Sequence, residues 1–211
     1  MSLPPGLGPM AGPDEVRRTV NWLIDYLAER DKPMEEGPVT VPGGLRLQDV
    51  VDDLMVHETK VYDKRRLSRI TQLVIHHVGI ERGRPVSPET IARYHVRAKN
   101  WAGIGYHYYV RKSGLVQITQ RLDTVSAHCY RECNWISVGI CLEGSFVDGR
   151  VPTDEQFAAC RLLNWYLIQL LKLDYQNNLV IYPHLRVTRG TSCPGKGWHK
   201  WWPQIIPKAI P

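Results

Sequence analysis

The segment Thr153-Asp-Glu-Gln156 is the strongest local constraint on what this chain can fold into. A threonine followed three residues later by glutamine is a capping box, in which each side chain satisfies a backbone N–H at the start of a helix. The apolar stretch after it predicts a long helix reaching about Leu173. That helix lies between two apolar runs that read as strands, residues 136–142 and 179–184. Upstream, residues 70–77 form another strand around Leu73-Val-Ile. Ser87-Pro88-Glu89 then opens a helix to about Lys99, with serine as cap and proline in the first turn. Residues 104–112 predict a strand, turned by Ser113-Gly114 into residues 115–119 as a hairpin. Residues 198–206 predict a short aromatic helix or turn. Strands interspersed with helices give an α/β fold, a mixed central β-sheet flanked by helices.

The first 45 residues differ in character. Residues 1–13 are rich in proline and glycine and predict disorder. Asp14 to Arg30 carries Val16, Val20, Leu23, Ile24 and Leu27 at helical spacing and predicts an amphipathic helix. Residues 33–45 read as a linker or loop, and Leu47 to Leu54 as a short helical turn. The expected division is therefore an extension over 1–45 and a domain over 46–211.

Composition excludes several classes. Hydrophobic residues make up 43% and charged residues 23% of the 211-residue chain, the mix of a core-forming protein. No apolar run approaches the roughly 20 residues needed to span a bilayer, so stable membrane insertion is not expected. The first residues offer neither a basic region nor an apolar one, so no secretory signal is expected. Net charge is +6, unevenly spread: residues 1–66 hold 9 basic and 12 acidic side chains, residues 67–211 hold 18 and 9. The basic second part suits a polyanionic partner. With no lysine/arginine block and no nucleic-acid motif, nucleic acid is not the expected one.

Histidines and cysteines carry the chemistry. His76 and His77 end one apolar strand, and alternation lets only one of them join a site on a given face. His184 ends another strand, and Cys193 follows in the loop Thr191-Ser-Cys-Pro-Gly. Two strand-end imidazoles and a thiolate are three ligands, the number a catalytic zinc site uses while keeping a fourth position open. The same residues also admit a thiol enzyme with Cys193 as nucleophile and His184 as base, or no shared site at all. Cys141 and Cys160 fall inside a strand and a helix and read as small buried hydrophobes. Cys129 and Cys133, four apart, read either as a local disulfide or as two free thiols. Of Trp101, Trp135, Trp198, Trp201 and Trp202, most are expected in the core, though such rings also stack on glycans.

Several runs, in order, resemble type 2 N-acetylmuramoyl-L-alanine amidases, a family that includes phage endolysins and peptidoglycan recognition proteins. They are Leu73-Val-Ile-His76-His-Val-Gly, Trp101-Ala-Gly-Ile-Gly-Tyr106-His-Tyr-Tyr-Val, Ser137-Val-Gly-Ile-Cys-Leu-Glu-Gly, Thr153-Asp-Glu-Gln, and His184 with Thr191-Ser-Cys193-Pro-Gly. The resemblance covers roughly residues 47–205. It implies the fold of the peptidoglycan recognition proteins and a zinc ion held by His76, His184 and Cys193, with His77 turned away. It puts Tyr106 at the family's catalytic tyrosine and Thr191 at a second catalytic position. His128 and, among the tryptophans, Trp101 fall by the substrate groove. Two departures stand out. The His184–Cys193 segment is one residue longer than the usual spacing, which loosens the placement of Thr191. Cytoplasmic muropeptide-recycling relatives carry a glutamate base where this chain has Cys141, which suggests the tyrosine-assisted branch, with Glu143 a structural carboxylate.

The implied activity is hydrolysis of the amide between N-acetylmuramic acid and L-alanine in bacterial peptidoglycan, by a phage or prophage endolysin. Such an enzyme would be a monomer, made in the host cytoplasm and acting on the wall after the membrane opens. The alternatives are a non-catalytic peptidoglycan-binding module and a cysteine peptidase using Cys193 and His184.

Overall fold

A computed structural model describes residues 37–41, 43–80, 85–176 and 179–207. The helix expected over Asp14–Arg30, and the rest of residues 1–36, lie outside the described residues. The strands are β1 (Val39–Val41), β2 (Leu45–Asp49), β3 (Gln72–His77), β4 (Tyr108–Val110), β5 (Val116–Ile118), β6 (Ser137–Leu142) and β7 (Ile181–Pro183). The helices are α1 (Pro88–Arg97), α2 (Glu132–Ile136), α3 (Asp154–Leu170), α4 (His184–Val187) and α5 (Trp202–Ile205), with short 3-10 turns at Val51–Asp53, Leu67–Arg69 and Trp198–Lys200.

All seven strands join one mixed sheet in the order β1-β2-β5-β4-β6-β3-β7. The pairs β1–β2 and β4–β5 are antiparallel; β2–β5, β4–β6, β6–β3 and β3–β7 are parallel. Parallel strands need both faces covered, and here the two faces carry different layers. Leu73 and Ile75 of β3, with Val138, Ile140 and Leu142 of β6, pack into the larger core with Cys160, Leu163, Tyr166 and Leu167 of α3. Cys141 and Tyr109 belong to a smaller cluster with Ile91 and Ala92 of α1. Because alternate residues change face, the strand that buries Leu73 and Ile75 under α3 must send His76 toward α1.

The helix starts follow their sequence signals. Ser87 Oγ accepts from Thr90 N and Pro88 stands in the first turn of α1. At α3, Thr153 Oγ1 accepts from Gln156 N and Gln156 Oε1 accepts from Thr153 N, both at 3.1 Å. Gln156 also donates from Nε2 to Val110 O and Glu143 O, each at 3.0 Å. One buried amide thus caps the helix and ties it to the ends of β4 and β6.

Four expectations need correction. Residues 39–41, expected within a linker, form a strand of the sheet; three residues between two prolines are too few to show a period. Residues 47–54 were expected to be helical, but Leu45–Asp49 is β2 and only Val51–Asp53 turns. Leu45 and Leu47 face inward with period two, whereas the apolar set Leu47, Val50, Val51, Leu54 mimics helical spacing. The strand expected over 104–112 shrinks to Tyr108–Val110, because Gly105 approaches another segment closely: a Cβ there would lie 2.7 Å from Ala127 O. The strand expected to end at His184 stops at Pro183, and His184 opens α4. Among the described residues no helix is long and apolar enough to cross a membrane.

Gln156→Ala should cost about 2–4 kcal/mol, since it removes one half of the cap and the side-chain donor to Val110 O and Glu143 O, of which only Val110 O keeps another donor, the Glu143 N–H. Arg150→Ala, which breaks the half-exposed surface pair with Asp148, should cost far less, on the order of the ~0–1 kcal/mol of surface ion pairs. Urea unfolding of both variants checks the contrast.

Candidate metal centre and its surroundings

Parallel pairing brings two histidines side by side. Ile75 of β3 is in register with Pro183 of β7, so the next residues, His76 and His184, leave the sheet at the same edge. Their ring centroids are 4.3 Å apart. Cys193 comes to them on the loop after α4, which is closed by Leu185 N donating to Cys193 O at 2.8 Å. The Cys193 Sγ accepts from His77 N at 3.3 Å and lies 3.9 Å from His76 Nδ1. One donor atom from each of His76, His184 and Cys193 lies within 4.8 Å of the other two.

One polar atom of this cluster lacks a partner of its own. His184 Nε2 is buried without a hydrogen bond, and a buried polar atom left so costs about 1–3 kcal/mol. Burial, with other imidazoles close by, holds His76 far below the ordinary histidine range. Burial lowers His184 to about 4. Both are therefore neutral at pH 7, the state in which imidazole binds a metal. Burial pushes the Cys193 thiol up to about 12, against the opposing bond from the His77 backbone. Two imidazoles and a sulfur form a donor set suited to zinc, and the orphaned His184 nitrogen fits an ion at their centre.

Neighbouring residues shape the approach. The Tyr106 ring lies 5.2 Å from that of His76. Burial, reinforced by the thiols of Cys141 and Cys193, holds the Tyr106 phenol well above its ordinary range, so its hydroxyl keeps its proton. That hydroxyl meets the side chain of Cys141. Thr191 Oγ1 accepts from Cys193 N at 3.1 Å, so the hydroxyl holds the cysteine turn from inside. Trp101 packs against His95 with tilted rings, centroids 4.6 Å apart, and His95 lies 5.7 Å from Tyr106. Trp101 is thus separated from His76 by two rings.

His77 turns to the opposite face, where its Nδ1 accepts from Phe146 N at 3.0 Å. His128, expected along a groove, is only 5% exposed and sits behind His76, with its Nδ1 3.1 Å from His76 Nε2. Glu143 is buried at the end of β6, paired with Arg111 at 3.2 Å and accepting from Lys112 N at 3.0 Å. Cys129 and Cys133 are joined by a disulfide. Trp201 is in the core, and Trp198 and Trp202 pack against it. Two buried histidines escaped notice in the sequence, where neither ends a strand or stands in a loop. His95 Nδ1 accepts from Gly105 N, and His107 Nδ1 accepts from Gly139 N, each at 3.0 Å.

A mixed sheet with a two-histidine, one-cysteine cluster beside the ends of its parallel strands defines a class of α/β protein with three groups at the sheet edge that could hold a metal ion. The particular family follows from comparison: residues 66–196 match the N-acetylmuramoyl-L-alanine amidase family, and the chain belongs to it. It is 25% identical over 134 residues to the endolysin of Klebsiella phage KP32, covering 63% of this chain and 85% of the phage protein. It is 31% identical over 75 residues to peptidoglycan recognition protein 1 of Bos indicus, 36% of this chain and 39% of that protein. The solved structure of the Ph2119 endolysin from a Thermus scotoductus bacteriophage is 26% identical with a TM-score of 0.60, over 76% of this chain and 99% of that one.

The loop that carries Cys193 depends on Gly195, whose φ is +116° and where a Cβ would fall 2.1 Å from Phe146 O. Gly190 has φ +79° but open space around it. Gly195→Ala should therefore lower the melting temperature well beyond Gly190→Ala, which bears only the backbone strain of about 1 kcal/mol. Thermal unfolding of the two variants, side by side, is the check.

Proposed function

We propose that this chain is a zinc-dependent peptidoglycan hydrolase of the endolysin kind, cleaving the amide between the lactyl group of N-acetylmuramic acid and L-alanine. The observation that carries the reading is the His76–His184–Cys193 cluster, with its orphaned His184 nitrogen, in a chain of the amidase family. Zinc held there supplies a Lewis acid and lowers the pKa of water toward neutrality. The rest falls to the protein's own residues. His76 and His184 stay neutral because they are buried, so they offer lone pairs rather than charge. Tyr106, kept protonated beside the cluster, donates a hydrogen bond to the oxygen that gains charge as the amide carbonyl is attacked. Thr191 fixes the turn that aims the Cys193 sulfur, and its hydroxyl is the second candidate donor. The basic excess over residues 67–211 favours approach to an anionic wall. The enzyme would reach that wall as a monomer after the membrane opens.

The cysteine-peptidase reading is weaker. Its nucleophile would have to be a thiolate, yet burial keeps the Cys193 thiol protonated and no helix begins there. Retention of Tyr106 with all three ligand residues argues against a module that only binds.

Incubated with purified sacculi, the protein should release free L-alanine amino groups. Activity should disappear with a chelator and return with zinc, and the protein should bind one equivalent of the metal. Cys193→Ser should lose both metal and activity. Cleavage that survives full metal removal but stops on alkylation would overturn the zinc mechanism in favour of the thiol one.

Tyr106→Phe should lower kcat by about 10²–10³ while zinc content stays at one equivalent. An equal loss of zinc would show that the hydroxyl supports the site rather than the reaction.

A further inference from the structure

Behind the cluster lies a line of buried hydrogen bonds that the proposed reaction does not use. Ser137 Oγ donates to Cys133 O, one turn back along the chain. With its proton committed there, the same oxygen accepts from His128 Nε2 at 3.2 Å. His128 then carries its proton on Nε2 and presents a lone pair on Nδ1. That lone pair faces His76 Nε2 at 3.1 Å, so His76 is the donor. The proton on Nε2 leaves His76 Nδ1 with a bare lone pair, and Nδ1 is the atom facing Cys193 Sγ. The hydroxyl of Ser137, anchored to a backbone carbonyl, and the Ser137 backbone beside it thus set the tautomer of two imidazoles, and the line ends at the cluster.

The line is built rather than accidental. Gly139 lies against the His128 ring, and a Cβ there would fall 2.5 Å from its Cγ. Asn134 Oδ1 accepts from both His128 N, at 3.1 Å, and Cys129 N, at 2.9 Å. Asn134 Nδ2 donates to Cys129 O at 3.0 Å, and the Cys129–Cys133 disulfide closes the same turn. Metal-ligating histidines are commonly oriented by a partner on the second ring nitrogen, and loss of it typically costs about 10–100-fold in metal affinity. Such a partner is usually a carboxylate, a carbonyl or water; here it is another neutral imidazole.

We infer that His128, set by Ser137, is the positioning residue that holds His76 in its metal-binding tautomer and orientation. The inference rests on the metal reading of the His76–His184–Cys193 cluster. It makes His128 a part of the scaffold behind the ligands rather than a substrate contact.

The test is zinc affinity, measured on metal-free protein by competition with a chromophoric chelator, alongside the visible spectrum of the cobalt-loaded form. His128→Phe keeps a ring of similar bulk but neither hydrogen bond, and should weaken zinc binding by about 10–100-fold. His128→Gln offers an oxygen to His76 and an N–H to Ser137, and should recover most of the affinity and the wild-type cobalt spectrum. Ser137→Ala removes the anchor without touching either ring and should also weaken binding; it keeps the test open if the phenylalanine variant fails to fold. Wild-type protein that binds no zinc would overturn the metal reading and this inference with it. Tight zinc binding by wild type, matched within twofold by the phenylalanine and alanine variants, would overturn this inference alone.

Discussion

The parallel pairing of β3 with β6 on one side and β7 on the other is the constraint from which the site follows. It aligns His76 with Cys141 and places His184 just past the residue that pairs with Ile75. No loop has to search for the first histidine pair, because strand register delivers it. Register itself is held by burial: a slip of one residue would turn Leu73 and Ile75 out of the α3 core and His76 into it. Hydrophobic packing on one face of the sheet therefore fixes the geometry of polar chemistry on the other. The third donor does come from a loop, and the chain spends more local constraint there: the Thr191 bond to Cys193 N, the Leu185 bond to Cys193 O, and a glycine with no room for a side chain.

Burying so many imidazoles is tolerable only in their neutral form. His77, His95 and His107 each use Nδ1 to accept a backbone N–H, from Phe146, Gly105 and Gly139 respectively. They satisfy amides that find no partner in the sheet ladder, two in irregular segments and one, that of Gly139, inside β6, as buried backbone groups require. His76 and His184 differ because each directs a nitrogen at the cluster instead of at the backbone. One residue type thus serves two purposes, and what separates them is whether the nitrogen faces a backbone amide or the other groups of the cluster.

This distinction also explains what the sequence made legible. Regular elements were readable where a local signal stated them: the capping box of α3, the Ser-Pro start of α1, the turn between β4 and β5. The pairing of His76, His184 and Cys193 was suggested by strand ends and a glycine-rich loop, and the family motifs narrowed it. β1 and β2 were not legible, since three apolar residues between prolines show no period and Leu47 to Leu54 fits two periods at once. Nor was the burial of His128. The motif Ser-Ala-His shows a polar residue in an irregular segment, which reads as surface. Only the three-dimensional approach to Gly139, eleven residues away, brings its ring under β3. Glycine at 139 was visible in the sequence as part of a family motif, but its steric reason exists only once two distant segments meet.

The two faces of the sheet also divide rigidity unequally. Among the described residues, the α3 side joins most of the large buried side chains into one cluster, while the α1 side holds seven buried apolar residues, among them Cys141. A thin apolar layer gives weak restraint on side-chain orientation, and a metal ligand tolerates little error in direction. Directional hydrogen bonds can supply what packing there does not. The bonds from Cys133 O through Ser137 and His128 to His76, and from Thr191 to Cys193, are the restraints placed directly behind the cluster. On this face orientation is set by polar contacts at fixed angles, whereas on the opposite face it is set by shape. The polar restraints are shorter-ranged and more specific, so a single lost hydroxyl should be felt at the cluster, while a single lost methyl in the α3 core should be felt in stability.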